Sequence, residues 1–422
     1  MDFFSDTTVI YITLAAVFGI FMAWGIGAND VANAMATSVG SKAITIKQAV
    51  ILAAIFEFAG AYLAGGEVTK TIRKGIVSLD AFNGNADLMI WGMLASLLAA
   101  GTWLLIASLK GWPVSTTHTI VGAVIGFAAV GVSVDAVNWN TVGSIVLSWV
   151  VSPIIAGVIA FAVFKSIQKF IINTSEPLKN AIKYGPVYLF MVGFIIALVT
   201  IKKGLKHVGI DVNGGMEFVY AAVLGGVIAF IGIMLIRRIK FDKNAEKRFH
   251  SVNVEKIFAI LMIFTASAMA FAHGSNDVAN AVGPMAAVIS AAQSGELSSQ
   301  STLPSWVLLV GGIGIVIGLA TLGYKVIATV GKNITELTPS RGFAAEIGAA
   351  TTVVLASYTG IPISTTQTLV GAILGIGLAR GIAAIDLRVV GNIFMSWVIT
   401  LPAGAFLSIL FFYFLKGVFT TT

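Results

Sequence analysis

Twelve apolar segments, most of them about 20 residues long, dominate this chain. They lie near 9–27, 44–65, 86–109, 112–131, 141–164, 184–201, 217–236, 257–273, 305–330, 342–358, 361–379 and 390–416. A helix of that length matches a hydrocarbon core about 30 Å thick. Backbone in lipid must satisfy its own hydrogen bonds, so the segments predict an all-α polytopic membrane protein. Composition agrees, with 57% hydrophobic residues, 11% charged and a mean hydropathy of +0.95. A soluble domain carries about 25% charged residues. Water-soluble enzymes, nucleic-acid binders and disordered chains are thereby excluded, and no nucleic-acid partner is expected. The absence of cysteine excludes disulfides and thiolate chemistry. Val9 to Ile26 has no basic residue before it, unlike a signal peptide, and reads as a retained first span.

The segments are organised by a duplication. Gly27-Ala28-Asn29-Asp30-Val31-Ala32-Asn33-Ala34 recurs as Gly274-Ser275-Asn276-Asp277-Val278-Ala279-Asn280-Ala281, with seven of eight residues identical. Pro113-Val114-Ser115-Thr116-Thr117 recurs as Pro362-Ile363-Ser364-Thr365-Thr366, and Ser148-Trp149-Val150 as Ser396-Trp397-Val398. The offsets are 274 − 27 = 247, 362 − 113 = 249 and 396 − 148 = 248, so the pairs are collinear. Residues 1–164 and 257–422 therefore read as two repeats joined by linking spans and a basic loop over 165–256.

Charge sets their orientation. Arg237 to Lys256 carries seven basic and three acidic residues, and Lys165 to Lys183 four basic and one acidic. The positive-inside rule places both loops in the cytoplasm and the acidic N-terminus, with Asp2 and Asp6, outside. Five spans, two linkers and five more then give two inverted-topology repeats and a C-terminus also outside. Lys202, Lys203 and Lys206 run against this scheme, because they fall in an outer loop. The pairs around Ser-Thr-Thr fit either full crossings or re-entrant hairpins with half helices at the midplane.

Four carboxylates sit at membrane depth: Asp30, Glu57, Asp277 and Glu346. A charge at the bilayer centre costs roughly 3 kcal/mol even on lenient scales and needs a partner. No Lys or Arg lies within ten positions of Asp30 or Asp277. Bound cations are the expected partners, and carboxylate, amide and hydroxyl oxygens suit a hard ion such as Na⁺. Asn29, Asp30, Asn276 and Asp277 are thus candidate sodium ligands, with Glu57 and Glu346 as ion or proton sites. The glycine before each Asn-Asp is expected to let the helix break and free carbonyls. The competing readings are a helix N-cap for Asn-Asp, interhelical bonding for Asn29/Asn33 and Asn276/Asn280, and pairing of a glutamate with a base such as Arg341.

Each Pro-x-Ser-Thr-Thr ends one helix and starts another. Three hydroxyls at a helix N-terminus, with free N–H groups and the positive end of the dipole, make an anion site suited to phosphate. Ser115, Thr116, Thr117, Ser364, Thr365, Thr366 and Gln367 are its candidate residues, with plain capping by Ser115 and Ser364 as the simpler reading. Gly122/Gly126 and Gly371/Gly375 read as close helix packing. Trp91, Trp112 and Trp306 read as interfacial anchors.

With these residues the chain resembles the inorganic phosphate transporter (PiT) family of sodium- or proton-coupled symporters, over essentially its whole length. The resemblance carries both G-[AS]-N-D-V-A-N-A copies and both P-x-S-T-T copies. It implies inorganic phosphate as substrate, sodium as coupling ion, a homodimer, and Glu57 and Glu346 as the family's paired glutamates. One departure is Gln367, where the family often has His, as at His118; it argues against a symmetric proton relay there. The expectation is a sodium-coupled phosphate symporter in the cell membrane, working by alternating access, with no enzymatic activity and no cofactor beyond Na⁺. Its rivals are a proton-coupled, metal–phosphate or sulfate symporter, an ion channel and an intramembrane phosphoryl transferase.

Overall fold

A computed structural model describes residues 7–202, 212, 214–239, 250–295, 304–324, 326–327, 337–381 and 387–420. Within them the regular structure is helical, apart from one isolated antiparallel bridge between Val77 and Val137. In chain order the helices are α1 (Thr7–Asn29), α2 (Val31–Gly40), α3 (Ile46–Ala64), α4 (Gly66–Lys74), α5 (Ala86–Lys110), α6 (Thr116–Gly126) and α7 (Trp139–Ile167). They continue as α8 (Pro177–Lys202), α9 (Met216–Arg237), α10 (His250–Ser294), α11 (Ser305–Gly318), α12 (Pro339–Thr359), α13 (Thr365–Arg380) and α14 (Leu387–Thr420). Every apolar segment read from the sequence falls on one of them, though 328–330 lies outside the described residues. Among those residues, nine helical segments are long and apolar enough to cross a membrane.

The distribution of side chains is that of a protein in lipid. Val158, Val398, Phe406 and Phe414 are each more than 60% exposed, whereas Asp30, Glu57, Asp277 and Glu346 are at most 1% exposed. Water would penalise such an exterior, but acyl chains do not. The charged interior must instead be satisfied by protein groups or ligands.

Two hairpins are built alike. α5 ends at Gly111 (φ 67°) and α12 at Gly360 (φ 72°), left-handed positions that glycine tolerates best. A short extended stretch with Pro113 or Pro362 follows, and Ser115 or Ser364 caps the next helix, accepting from the His118 or Gln367 N–H at 3.2 and 3.3 Å. The capping reading of these serines therefore holds. α6 and α13 have 11 and 16 residues. α6 continues through a π-helical segment, Phe127–Val132, so both short helices stand at or just below the about 17 residues of the shortest crossing.

The glycines set the packing, and here one expectation is corrected. The Gly-Asn-Asp segments do not open the helix to free its carbonyls. The first copy is interrupted only at Asp30, whose N–H still bonds the Ile26 carbonyl at 2.8 Å, and the second lies inside the continuous 45-residue α10. The physical reason is close approach. A Cβ on Gly27 would lie 1.9 Å from the Ile315 carbonyl oxygen, and one on Gly318 1.9 Å from that of Trp24. The other copy repeats the pattern: Gly274 against the Glu57 carbonyl at 2.2 Å, Gly60 against Phe271 at 2.0 Å. α1 crosses α11, and α3 crosses α10, backbone on backbone.

The Gly-x-x-x-Gly pairs work the same way between the repeats. Gly122 and Gly126 on α6 meet the Leu401 and Ala405 carbonyls of α14, while Gly371 and Gly375 on α13 meet those of Pro153 and Gly157 of α7. Each short helix thus packs on the long helix of the other repeat.

Trp112 and Trp306 are exposed, but Trp91 is buried and donates to the Tyr11 hydroxyl at 3.0 Å, so it is not an interfacial anchor. Asp2, Asp6, Lys203, Lys206 and residues 240–249 of the basic run lie outside the described residues, as do the side chains of Asn33 and Ser396.

Candidate functional site

The two hairpin tips meet. The Thr117 hydroxyl donates to the Ile363 carbonyl at 2.9 Å, and the equivalent Thr366 hydroxyl lies 3.5 Å from the Val114 carbonyl, so matching positions of the two hairpins face each other. Asn29 and Asn276 hold the hairpins. Asn29 donates to the Ser108 hydroxyl (3.2 Å) and the Trp112 carbonyl (3.0 Å) and accepts from the Val114 N–H (3.2 Å). Asn276 does the same with Ser357 (3.2 Å), Ile361 (3.3 Å) and Ile363 (3.3 Å). Each amide ties a short helix to the Asn-Asp helix of its own repeat. Asn276→Ala leaves a buried carbonyl and a buried N–H without their partner, at about 1–3 kcal/mol each. We expect its melting temperature in detergent to fall by several degrees, and phosphate uptake to fall with it.

The aspartates lie where the tips meet. The Thr116 hydroxyl donates to Asp30 Oδ2 at 2.6 Å and lies 3.2 Å from Asp277 Oδ2. Thr366 donates to Asp30 Oδ1 at 2.8 Å, and Thr365 to Asp277 Oδ2 at 3.1 Å. Asp30 makes no side-chain cap to α2, and Asp277 is mid-helix, so the N-cap reading fails. Asn280 donates to the Thr116 and Thr117 hydroxyls, both at 3.2 Å, which realises the interhelical role of that asparagine.

The sequence reading missed His273. Its Nε2 lies 3.2 Å from Asp277 Oδ2 and 3.9 Å from Asp30 Oδ2, and its Nδ1 lies 2.7 Å from Glu57 Oε2. Lys and Arg are absent around the aspartates, but histidine is the third cationic side chain. His273 stands four residues before Asp277 on one helix, a spacing that puts both on one face. The partner of Glu57 is therefore an imidazole, not Lys or Arg. One imidazole offers at most one positive charge to three carboxyl groups, so the cluster has room for a further cation. Asp30, His273 and Asp277 present ligand atoms within 4.8 Å of one another, close enough for one cation. Four buried acceptor oxygens in or beside the site have no protein hydrogen-bond donor: Glu57 Oε1, Asp277 Oδ1, Asn280 Oδ1 and Gln367 Oε1.

Glu346 belongs to a separate cluster. Its carboxylate accepts from Thr37 at 2.6 Å, Ser38 at 2.5 Å and Thr265. Thr265 and Asp277 are twelve residues apart on α10, about 18 Å of helix. Glu57 and Glu346 thus serve different places. None of the three hydroxyls around Glu346 was singled out in the sequence, since isolated Ser and Thr carry no pattern. Gln367 is turned away from the carboxylates. With His118, which stacks on Trp149 at 3.8 Å, it lines an apolar cleft of about 890 Å³.

A multi-pass helical bundle with a buried site of ionisable groups, met by the tips of two hairpins that each end in a short helix, defines a membrane transporter. A family model described as the phosphate transporter family matches residues 26–408, and the chain belongs to that family, one of transporters and not enzymes. It is 54% identical over 420 residues to a Haemophilus influenzae protein named "Putative phosphate permease", covering 99% of this chain and 100% of that one. It is 42% identical to the chloroplastic inorganic phosphate transporter 2-1 of Arabidopsis thaliana, over 95% of this chain and 71% of that one. A solved structure described as the sodium-dependent phosphate transporter superposes with a TM-score of 0.89 at 41% identity, covering 96% of this chain and 99% of that one.

Proposed function

We propose that this transporter carries inorganic phosphate together with Na⁺ by alternating access. The observation that carries the reading is the bridging of Asp30 and Asp277 by Thr116, Thr365 and Thr366, hydroxyls from both hairpins. A hydroxyl offers a hydrogen to an anion and lone pairs to a cation. Sodium entering between the aspartates takes those lone pairs and releases the O–H groups from the carboxylates. The freed donors, with the N-termini of α6 and α13, then face phosphate. Sodium in this way both neutralises the site and arms it.

Electrostatics makes the coupling strong. A phosphate charge about 5 Å from one carboxylate is opposed by about 3 kcal/mol at an effective dielectric of about 20. Two aspartates without cations therefore exclude the anion. Asn29 and Asn276 support the ion sites through the hairpins, and Glu57 acts through His273. Ser115, Thr117 and Ser364 complete the proposed phosphate set; Gln367, expected there from the sequence, faces the apolar cleft instead and is left out of it.

Glu346 serves as a separate sodium site, three hydroxyl oxygens around one carboxylate. We expect Glu346→Gln to keep the fold, since an amide still accepts from at least one of the hydroxyls, but to raise the half-maximal Na⁺ concentration for uptake about tenfold or more. An unchanged sodium dependence would assign the cluster a structural role only.

The duplication and loop charges support inverted repeats over 1–164 and 257–422, joined through 165–256, with both termini outside; a homodimeric assembly is proposed from the family resemblance alone. The deciding experiment is labelled phosphate uptake into proteoliposomes under an imposed Na⁺ gradient and then an H⁺ gradient. Uptake driven by protons alone would overturn sodium coupling. Full displacement by sulfate would overturn the choice of anion.

A further inference from the structure

We infer that the cleft floored by His118 and Gln367 is a site for one anionic phospholipid of the surrounding bilayer. The cleft runs along α7 from Val146 to Phe161, fifteen residues and so roughly 22 Å. That exceeds the about 15 Å depth of one leaflet, half of a core about 30 Å thick. Val158 on α7 and Val398 on α14 form its open walls, 63% and 68% exposed. Its lining carries few polar atoms apart from the floor, which suits hydrocarbon and not a second phosphate.

An open apolar cleft of this length offers a bilayer lipid a surface along which to lay its acyl chains. Charge selects the headgroup. At the Phe161 end the Lys165 ammonium donates to the Ala379 carbonyl at 2.9 Å and lies 5.8 Å from the Phe161 ring. An ammonium has three donors, so two remain for a ligand. Arg380, the last residue of α13 and exposed, stands beside it in sequence to Ala379. Lys165, beside Phe161 at one end of the slot, and Arg380, next in the chain to its partner Ala379, give that end a positive charge that suits a lipid phosphate above its chains.

The test is native mass spectrometry of the full chain released from nanodiscs of equal phosphatidylglycerol and phosphatidylcholine. We expect one phosphatidylglycerol per chain, retained about tenfold over phosphatidylcholine. The Lys165→Ala, Arg380→Ala double variant brings the two lipids to parity. Val158→Trp fills the open wall without touching the core and removes retention of both. In this cysteine-free chain Val158→Cys also gives a single thiol. Equal retention of the two lipids by the parent protein overturns the proposal, as does a preference that survives the double variant. Retention unchanged by Val158→Trp, or ready disulfide dimerisation through Val158→Cys, overturns it too, the last naming a second copy as occupant.

Discussion

Asp277→Asn is expected to abolish the proposed sodium-driven phosphate uptake while leaving the protein folded. The substitution keeps the shape and the acceptor oxygen facing Thr365 but removes one of two carboxylates at the hairpin tips. A carboxylate about 4 Å from a cation stabilises it by about 4 kcal/mol at an effective dielectric of about 20, two to three orders of magnitude in affinity. Uptake at a fixed Na⁺ gradient is therefore expected to drop by at least about 100-fold. Thermal unfolding in detergent is expected to move little, because His273 keeps Glu57 at 2.7 Å and is not left unpaired when the carboxylate at 277 is lost. Uptake that keeps its sodium dependence in Asp277→Asn would remove the cation site from between the aspartates.

The second large effect concerns folding. Helix propensity alone ranks Gly→Ala as stabilising by about 1 kcal/mol inside a helix. At Gly27 and Gly274 we expect the opposite sign. The new methyl would meet backbone oxygens at 1.9 and 2.2 Å, and no side-chain rotation relieves a clash with backbone. The crossing helices must separate, at a cost of about 3 kcal/mol or more. Gly27→Ala and Gly274→Ala are expected to lower the detergent melting temperature by more than about 5 °C and to reduce the yield of monodisperse protein. Were these glycines helix breakers, the same variants would melt higher and lose transport alone.

These two cases mark what was legible in the chain. Helix positions were readable because hydrocarbon thickness imposes a length on every apolar segment. Asp30, Asp277 and the Ser-Thr-Thr tips stood out because polar groups are rare at membrane depth and occur twice. The join between them did not, because the bonds of Thr116 and Thr366 to Asp30 cross from one hairpin to another helix, and in the second case from one repeat to the other. The i,i+4 spacing of His273 and Asp277 was legible, but the contacts of that imidazole with Asp30 and Glu57 come from two other helices and were not. The role of Gly27 and Gly274 was misread because a glycine that breaks a helix and one that lets another helix approach look the same in one dimension. The clustering of Thr37, Ser38 and Thr265 around Glu346 is a product of tertiary packing alone.

The exchange of partners between α6 and α14, and between α13 and α7, bears on how the protein is made. During synthesis the glycine face of α6 emerges early, yet the backbone that covers it, around Leu401 and Ala405, is among the last to leave the ribosome. Until then Gly122 and Gly126 face lipid or an insertion factor, and Pro153 and Gly157 wait in the same way for Gly371 and Gly375. The first repeat made alone therefore lacks a partner for its short helix. Two separately translated halves should recover transport only when both are inserted in the same membrane.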